Sequence, residues 1–421
     1  MNNSEISLER QLAQNPVCKP VVWSAALLLG LLTNGSAWSQ EESPWALGAS
    51  QAFRYDSNVF RTPNGTPARS DVESITGVDG RLRAQLGRQE IYLSGELSAH
   101  RYRENSGLDN VGNRIETGIN WATIERLSGT LRHAQNRSLA AFGAAGEPLI
   151  TERAVERTQL TEATVRYGLT ARSALQAGWA HRRVDYSIAE YDNREYRQNV
   201  TSLGYQYGLE RALTLGIGGR YTEGRTPRYD EPAPGTFVAD RSKRRDVDLT
   251  ATWVPSALST ISARISATRE EHSQADEADF SGTTGSLSWE YLPSGRLSLN
   301  AQIARDTGAE SRFASFTGQD PELNVESQRI LTSAQLGARY ELTGKTRLNA
   351  RYRYARGKLS NTSGDTGHDV TQLYGLGVEY EPLRTLRLAC EAGQERRSTN
   401  SPLSFAYRAT VALCSARLAI D

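Results

Sequence analysis

Residues 346–357 read TRLNARYRYARG, and from Arg347 to Arg353 the two parities separate. Leu348, Ala350, Tyr352 and Tyr354 fall on one, while Arg347, Asn349, Arg351 and Arg353 fall on the other. A strand with this pattern holds one face in an apolar medium and the other in water. The same period of two recurs along the chain. Trp45, Leu47, Ala49, Phe53 and Tyr55 alternate with Ala46, Gly48, Ser50, Ala52 and Arg54. Ile91, Leu93, Leu97 and Ala99 alternate with Tyr92, Ser94, Glu96, Ser98 and His100. Ala163, Val165 and Tyr167 alternate with Glu162, Thr164 and Arg166.

The connections between these runs are of two kinds. Short ones repeat a form, an aromatic, a tight polar turn and a restart on Leu or Ile, as in YGLERALTL (207–215), YLPSGRLSL (291–299) and YEPLRTLRL (380–388). Longer Gly/Pro/Asp-rich segments at 57–71, 139–157, 224–244, 308–328 and 357–367 read as loops. Short and long alternate, giving 18 expected strands with eight short turns and nine long loops. An even strand number, short turns at one rim and long loops at the other describe an all-β fold, a transmembrane antiparallel up-and-down barrel with short periplasmic turns and long extracellular loops. In hydrocarbon only helices and closed sheets pair every backbone N–H and C=O. Trp121, Tyr167, Tyr207, Trp253, Tyr291, Tyr340 and Tyr380 all precede short turns and are expected to form the periplasmic aromatic girdle. Edge packing in a soluble β-solenoid or propeller is the alternative for them.

The first residues change the picture by adding a compartment. Lys19 precedes the apolar run VVWSAALLLGLL (21–32), followed by small residues at Ala37 and Ser39. That reads as a secretory signal peptide over 1–39, leaving 40–421 as the barrel. Twelve apolar residues are too few for a spanning helix. The charge balance, Lys+Arg 49 against Asp+Glu 48, gives no bulk attraction to nucleic acid, and none is expected as a partner. Only four of the 49 basic residues are lysines, which leaves 45 arginines. Arginine suits confined sites where a cation must pair in plane or stack.

If the barrel stands, Arg54, Arg166, Arg220, Arg264, Arg339, Arg347, Arg351, Arg353 and Arg387 are candidates to line a wet lumen. An arginine facing lipid at mid-bilayer would cost about 2–4 kcal/mol. Two readings of this wall compete: cross-strand pairing with carboxylates such as Glu116, Glu162, Asp246, Asp248 and Glu379, or a path for an anionic or hydroxyl-rich polymer. Cys390 and Cys414 lie symmetrically about residue 402, inside the turn TNSPLS, so a hairpin sets them opposite each other. A cross-strand disulfide and two small apolar neighbours both fit. The chain ends in LAID, without the closing aromatic common to such barrels.

Chemistry is sparse. The five histidines, His100, His133, His181, His272 and His368, are scattered, and no GxSxG, HExxH, phosphate loop or CxxC is present. The acidic run REEHSQADEAD (269–279) reads as a solvated loop. No enzyme activity, cofactor or metal is expected, and a barrel hydrolase remains a competing class.

The opening WALGASQAFRYDSNVFRTP (45–63) resembles the β-barrel porin family of EpsL-like proteins associated with exosortase B and extracellular polysaccharide loci. Those proteins open with a Tyr-x-Asp-Asn-(Leu/Val)-Phe-Arg segment; here Ser57 stands where a second acidic residue is common. SGELSAHRYRENSGLDNVGNRIETGINW (94–121) is similar to the family's next strand pair. The resemblance implies a porin or channel of the bacterial outer membrane that helps to make or export exopolysaccharide. Its partners would be outer-membrane lipid, an extracellular polysaccharide and its export machinery. The alternatives are a general diffusion porin and a structural or adhesive surface barrel.

Overall fold

Eighteen strands follow one another and each pairs with its neighbour in the chain. They are β1 (Trp45–Asp56), β2 (Asp71–Leu86), β3 (Gln89–Tyr102), β4 (Asn110–Ala122), β5 (Leu127–Leu139) and β6 (Val155–Gly168). Then come β7 (Ser173–Tyr186), β8 (Tyr196–Glu210), β9 (Leu213–Ala233), β10 (Thr236–Ser256), β11 (Ser259–His272) and β12 (Phe280–Ser294). The last are β13 (Leu297–Asp306), β14 (Ile330–Thr343), β15 (Thr346–Ser360), β16 (Thr366–Leu383), β17 (Leu386–Thr399) and β18 (Tyr407–Ile420). The structure, a computed structural model, describes residues 43–421 apart from 144–148, 211, 276–277, 308–329, 361–365 and 421. The expected leader 1–39 and the loop 308–328 lie outside the described residues.

All ladders are antiparallel, and β1 pairs with β18 from Leu47↔Ile420 to Asp56↔Val411, which closes the sheet on itself. The expected barrel of 18 strands is the observed one. Register carries one parity from strand to strand around the ring, so every side chain is either inward or outward. The outward set is the apolar one. Leu376 is 70% exposed, and Leu47, Leu203, Ile265, Val247 and Trp253 are also exposed. The inward set holds the buried polar groups, among them Arg244, Gln198, Ser266 and Asp369. This inversion of a water-soluble protein is what a hydrocarbon solvent demands, and the chain is a membrane barrel of the outer-membrane type.

The expected loop at 224–244 is not a loop. β9 and β10 run 21 residues each and meet in a tight turn at Gly235, whose φ of 77° suits glycine. Pro227, Pro232 and Pro234 look like breakers in sequence, but register shifts between Thr236, Val238 and Asp240 absorb the irregularity. The hairpin is braced by Arg228, which pairs with Asp192 at 2.6 Å. The expected loop at 357–367 is also shorter, because β15 and β16 extend to Ser360 and from Thr366.

Cys390 and Cys414 face one another and are bonded, on the outward side between β17 and β18. Of the two readings open in sequence, the structure has the disulfide. It lies on the lipid side, with Leu388 and Ala392 on its strand and Ala412 and Ala416 on the partner.

Candidate functional site

The lumen wall is built from the inward parity. Arg54, Arg166, Arg220, Arg264, Arg339, Arg347, Arg351, Arg353 and Arg387 all lie on it, spread over seven strands. Trp121, Tyr167, Tyr207, Trp253, Tyr291, Tyr340 and Tyr380 lie on the other parity, each next to a short turn. Arg305, by contrast, shares the outward parity with Ile303 and Leu287, at the loop end of β13.

The inward arginines meet carboxylates. Arg347 holds both oxygens of Glu381 at 2.9 and 3.0 Å and lies 3.5 Å from Glu379, and Arg387 shares Glu381 Oε1 at 2.5 Å. Arg351 pairs with Glu391 at 2.6 Å, Arg264 with Asp306 at 3.1 Å, and Arg220 with Asp248 and Asp246 at 3.4 and 3.5 Å. Arg54 is 3.9 Å from Asp56, and Arg339 donates to Asn349 at 3.4 Å. Arg353 is buried between Gln335 and Leu373, and Arg166 lines a shallow recess at the short-turn rim with Arg126 and Ser128. The wall therefore interleaves both signs of charge.

Several residues that sequence reading did not single out form its densest parts. Arg244 of β10, 1% exposed, bonds Asp246 at 2.9 Å, Asp306 at 2.8 Å and the Thr307 hydroxyl at 2.7 Å, with Glu270 at 4.0 Å. Thr268 adds a hydrogen bond to Asp246 at 2.6 Å. Glu270 and His272, read in sequence as part of a solvated loop, turn inward instead. His272 Nδ1 lies 2.7 Å from Asp240, and Glu270 is buried. Arg132 bridges Glu116 and Glu162 at 2.8 and 3.0 Å.

A second group closes on the lumen from the loop rim. Past Asp56 the chain turns inward: the Asn58 amide donates to Asp56 Oδ1 at 2.9 Å, and Asn58 Oδ1 accepts from the Thr62 amide at 2.9 Å. This Asx turning leaves Arg61 with φ of 53°, a region residues with side chains seldom occupy. Its guanidinium sits between Asp56 at 2.8 Å and Glu395 of β17 at 2.9 Å. Burial alone would lower the Arg61 pKa, but Glu395 and Asp56 outweigh it and raise it, so the group is a fixed cation. Phe60 meets Phe142 of the β5–β6 loop edge-on at 5.1 Å, with Val59 and Leu108 beside them. Next to Phe142, the Gly143 carbonyl accepts from Arg397 of β17, whose guanidinium also covers the Tyr407 ring at 4.8 Å. From β5 round to β17 is six pairings of eighteen, so this clasp bridges a third of the ring.

Just below the clasp, inward on β2 and β3, Ser98 Oγ lies 2.9 Å from His100 Nε2, and His100 Nδ1 lies 2.6 Å from Glu73. Ser98 has a glycine opposite it on both sides, Gly77 and Gly112. A Cβ at Gly112 would come within 2.9 Å of Ser98 Oγ, so the glycine clears the hydroxyl. Among the described residues no group of three His, Cys, Asp or Glu is arranged to hold a metal ion.

Among solved structures, the chain is similar to the outer membrane protein OpdK of Pseudomonas aeruginosa. Identity is 13%, the match covers 89% of this chain and 99% of that one, and the TM-score is 0.45. It is similar to OccK2 (OpdF) of the same bacterium at 11% identity, covering 89% and 97%, with a TM-score of 0.48. The siderophore receptor PiuA of Acinetobacter baumannii is similar at 9% identity, covering 90% and 82%, with a TM-score of 0.44. No protein-family model matches the chain and no curated protein matches it in sequence, so the likeness of residues 45–63 to EpsL-like proteins stays a resemblance.

Proposed function

We propose that the chain forms a channel of the bacterial outer membrane for small hydrophilic solutes that carry charge. The observation that supports this is the unbroken inward parity of eighteen strands, lined with paired guanidinium and carboxylate groups. Eighteen strands enclose more width than side chains alone fill. The interleaved signs favour solutes with both donors and acceptors over a simple preference for anions. Reconstituted in planar bilayers, the protein is expected to give discrete conductance steps; a folded, heat-modifiable barrel that stays silent would overturn the channel. The narrower reading, export of an exopolysaccharide, draws support from the sequence resemblance, whose Tyr-Asp-Ser-Asn-Val-Phe-Arg segment also supplies Asp56, Asn58, Phe60 and Arg61 of the clasp. In the same bilayers, transient current blocks by an anionic polysaccharide fragment would favour it, and their absence would leave solute diffusion.

A second reading is favoured by one observation, the Ser98–His100–Glu73 arrangement. With the Glu73 carboxylate at Nδ1, the neutral imidazole carries its proton there and presents a lone pair at Nε2 to the Ser98 hydroxyl. That is the arrangement of an activated nucleophile. Ser98 Oγ would attack an ester carbonyl while its proton passes to Nε2 and then to the leaving alcohol; water would release the acid by the reverse proton path. A fluorophosphonate probe should label wild-type protein at Ser98, and labelling should fall about a hundredfold or more in His100→Gln, the range for loss of a general base. Equal labelling in Ser98→Ala, or none in folded wild type, would reduce the three groups to scaffold.

A further inference from the structure

The outward face of β7 to β10 carries four arginines abreast. Arg183 faces Arg197, Arg197 faces Arg225, and Arg225 faces Arg241 in successive ladders. Neighbouring strands lie about 5 Å apart, and like charges directly opposite destabilise a ladder. Arg183 turns to Asp185 at 2.7 Å. On the same face Glu223 accepts the Tyr221 hydroxyl at 2.9 Å, and Glu271 pairs with Arg269 at 2.7 Å. Among the described residues no carboxylate pairs with Arg197, Arg225 or Arg241, and all three are exposed. Sequence patterning had treated arginine as a lumen residue; here a row of them faces the other way.

The height of the row says what it meets. On the same outward parity of β9, Leu215 and Ile217 belong to the apolar band, and Arg225 follows ten residues after Leu215. Ten residues span about 33 Å along a strand, or about 25 Å along the membrane normal at the usual tilt. That is the full height of an apolar band, so the row stands at the interface opposite the aromatic residues Tyr207 and Trp253. By the barrel's polarity this is the outer interface.

We propose that Arg183, Arg197, Arg225 and Arg241 form a binding site for the phosphorylated sugar headgroup of an outer-leaflet glycolipid of lipid A type. The site rests on the outer-membrane placement and not on conduction. Cations in a row, at the edge of an apolar face that acyl chains can cover, fit a bisphosphorylated headgroup whose tails pack on the nearer half of that face, at Leu203 and Val247. Free phosphate would use the cations without the apolar face. Planar guanidinium groups suit phosphate oxygens because they bind them two at a time.

The test is native mass spectrometry of the intact barrel released from a zwitterionic detergent, with bisphosphorylated lipid A as the probe. Wild type should retain the lipid, and Arg197→Gln/Arg225→Gln/Arg241→Gln should bind it about a hundredfold more weakly, the order expected for three cations at a lipid phosphate surface. Dephosphorylated lipid A should bind wild type as weakly as the triple variant binds the intact lipid. Inorganic phosphate at millimolar concentration should not displace it; full displacement would assign the site to free phosphate and overturn the lipid. A control removing three outward cations elsewhere, Arg101→Gln/Arg305→Gln/Arg356→Gln, should retain the lipid, and an equal loss there would reduce the effect to net charge. Thermal unfolding without lipid guards against misfolding: the triple variant should melt at or above the wild type, because the row repels itself when empty. A large drop in its melting temperature would mean that the arginines are structural.

Discussion

Replacing Arg61 and Arg397 together by serine is expected to enlarge the conductance steps of the barrel while leaving its heat-modifiable mobility unchanged. The clasp is held by the Arg61 bridges to Asp56 and Glu395 and by the Arg397 bond to the Gly143 carbonyl. Hydrogen bonds to charged groups contribute about 1.5–3 kcal/mol each. Losing even two shifts the balance between docked and released loops by at least about 3 kcal/mol, roughly a hundredfold in population. The Arg61 backbone adds to the effect, since φ of 53° is held only while the surroundings enforce it. Protease access to residues 57–70 should rise in parallel. Because the double variant takes a cation from Asp56, Glu395 and Asp369, Phe60→Ala/Phe142→Ala provides a charge-neutral route to the same release. If neither variant changes conductance or proteolysis, the clasp does not limit the pore.

Arg244→Met should be the most destabilising single change in the wall, by about 3–5 kcal/mol, read as a fall in the urea midpoint of the barrel in detergent micelles. Its guanidinium is buried among Asp246, Asp306 and Glu270, and removing it takes away the cation these three share, leaving only the flanking Arg220 and Arg264 against Asp246 and Asp306. Arg351→Met is the comparison. That pair with Glu391 is well exposed to lumen water, its side chains 41% and 35% accessible, and solvent screening keeps its contribution below about 1 kcal/mol. Equal midpoints for the two variants would mean that the lumen screens both sites alike and that the Arg244 cluster is wet.

What could be read from the sequence was what a period of two encodes. Alternation gave strand number, face and the place of the short turns, because lipid on one side and water on the other leave no other use for the pattern. It failed where a residue's role depends on a distant partner. Arg61 sits in what reads as an ordinary loop, and its partner Glu395 is 334 residues away. Ser98 and His100 are visibly on one face, but Glu73 joins them only through the β2–β3 register. The apolar Leu331 and Leu359 point inward and are buried, against the rule that apolar means lipid. The β9–β10 extension was hidden by three prolines that a bulged ribbon above the membrane tolerates. The outward arginine row was hidden by the assumption that cations belong inside, which holds at mid-bilayer and lapses at the headgroups.

The seam between β1 and β18 has a consequence for biogenesis. Ten registered pairs there join residues at opposite ends of the chain, so no nascent fragment can satisfy the edge of its first strand. The ring can therefore zip shut only once β18, the last strand of the sheet, is in place beside β1. The start of β1 and the end of β18 both lie at the turn rim, and this makes the molecule a candidate for circular permutation: a chain spliced between them and reopened at Gly344 would keep every pairing apart from the turn it sacrificed.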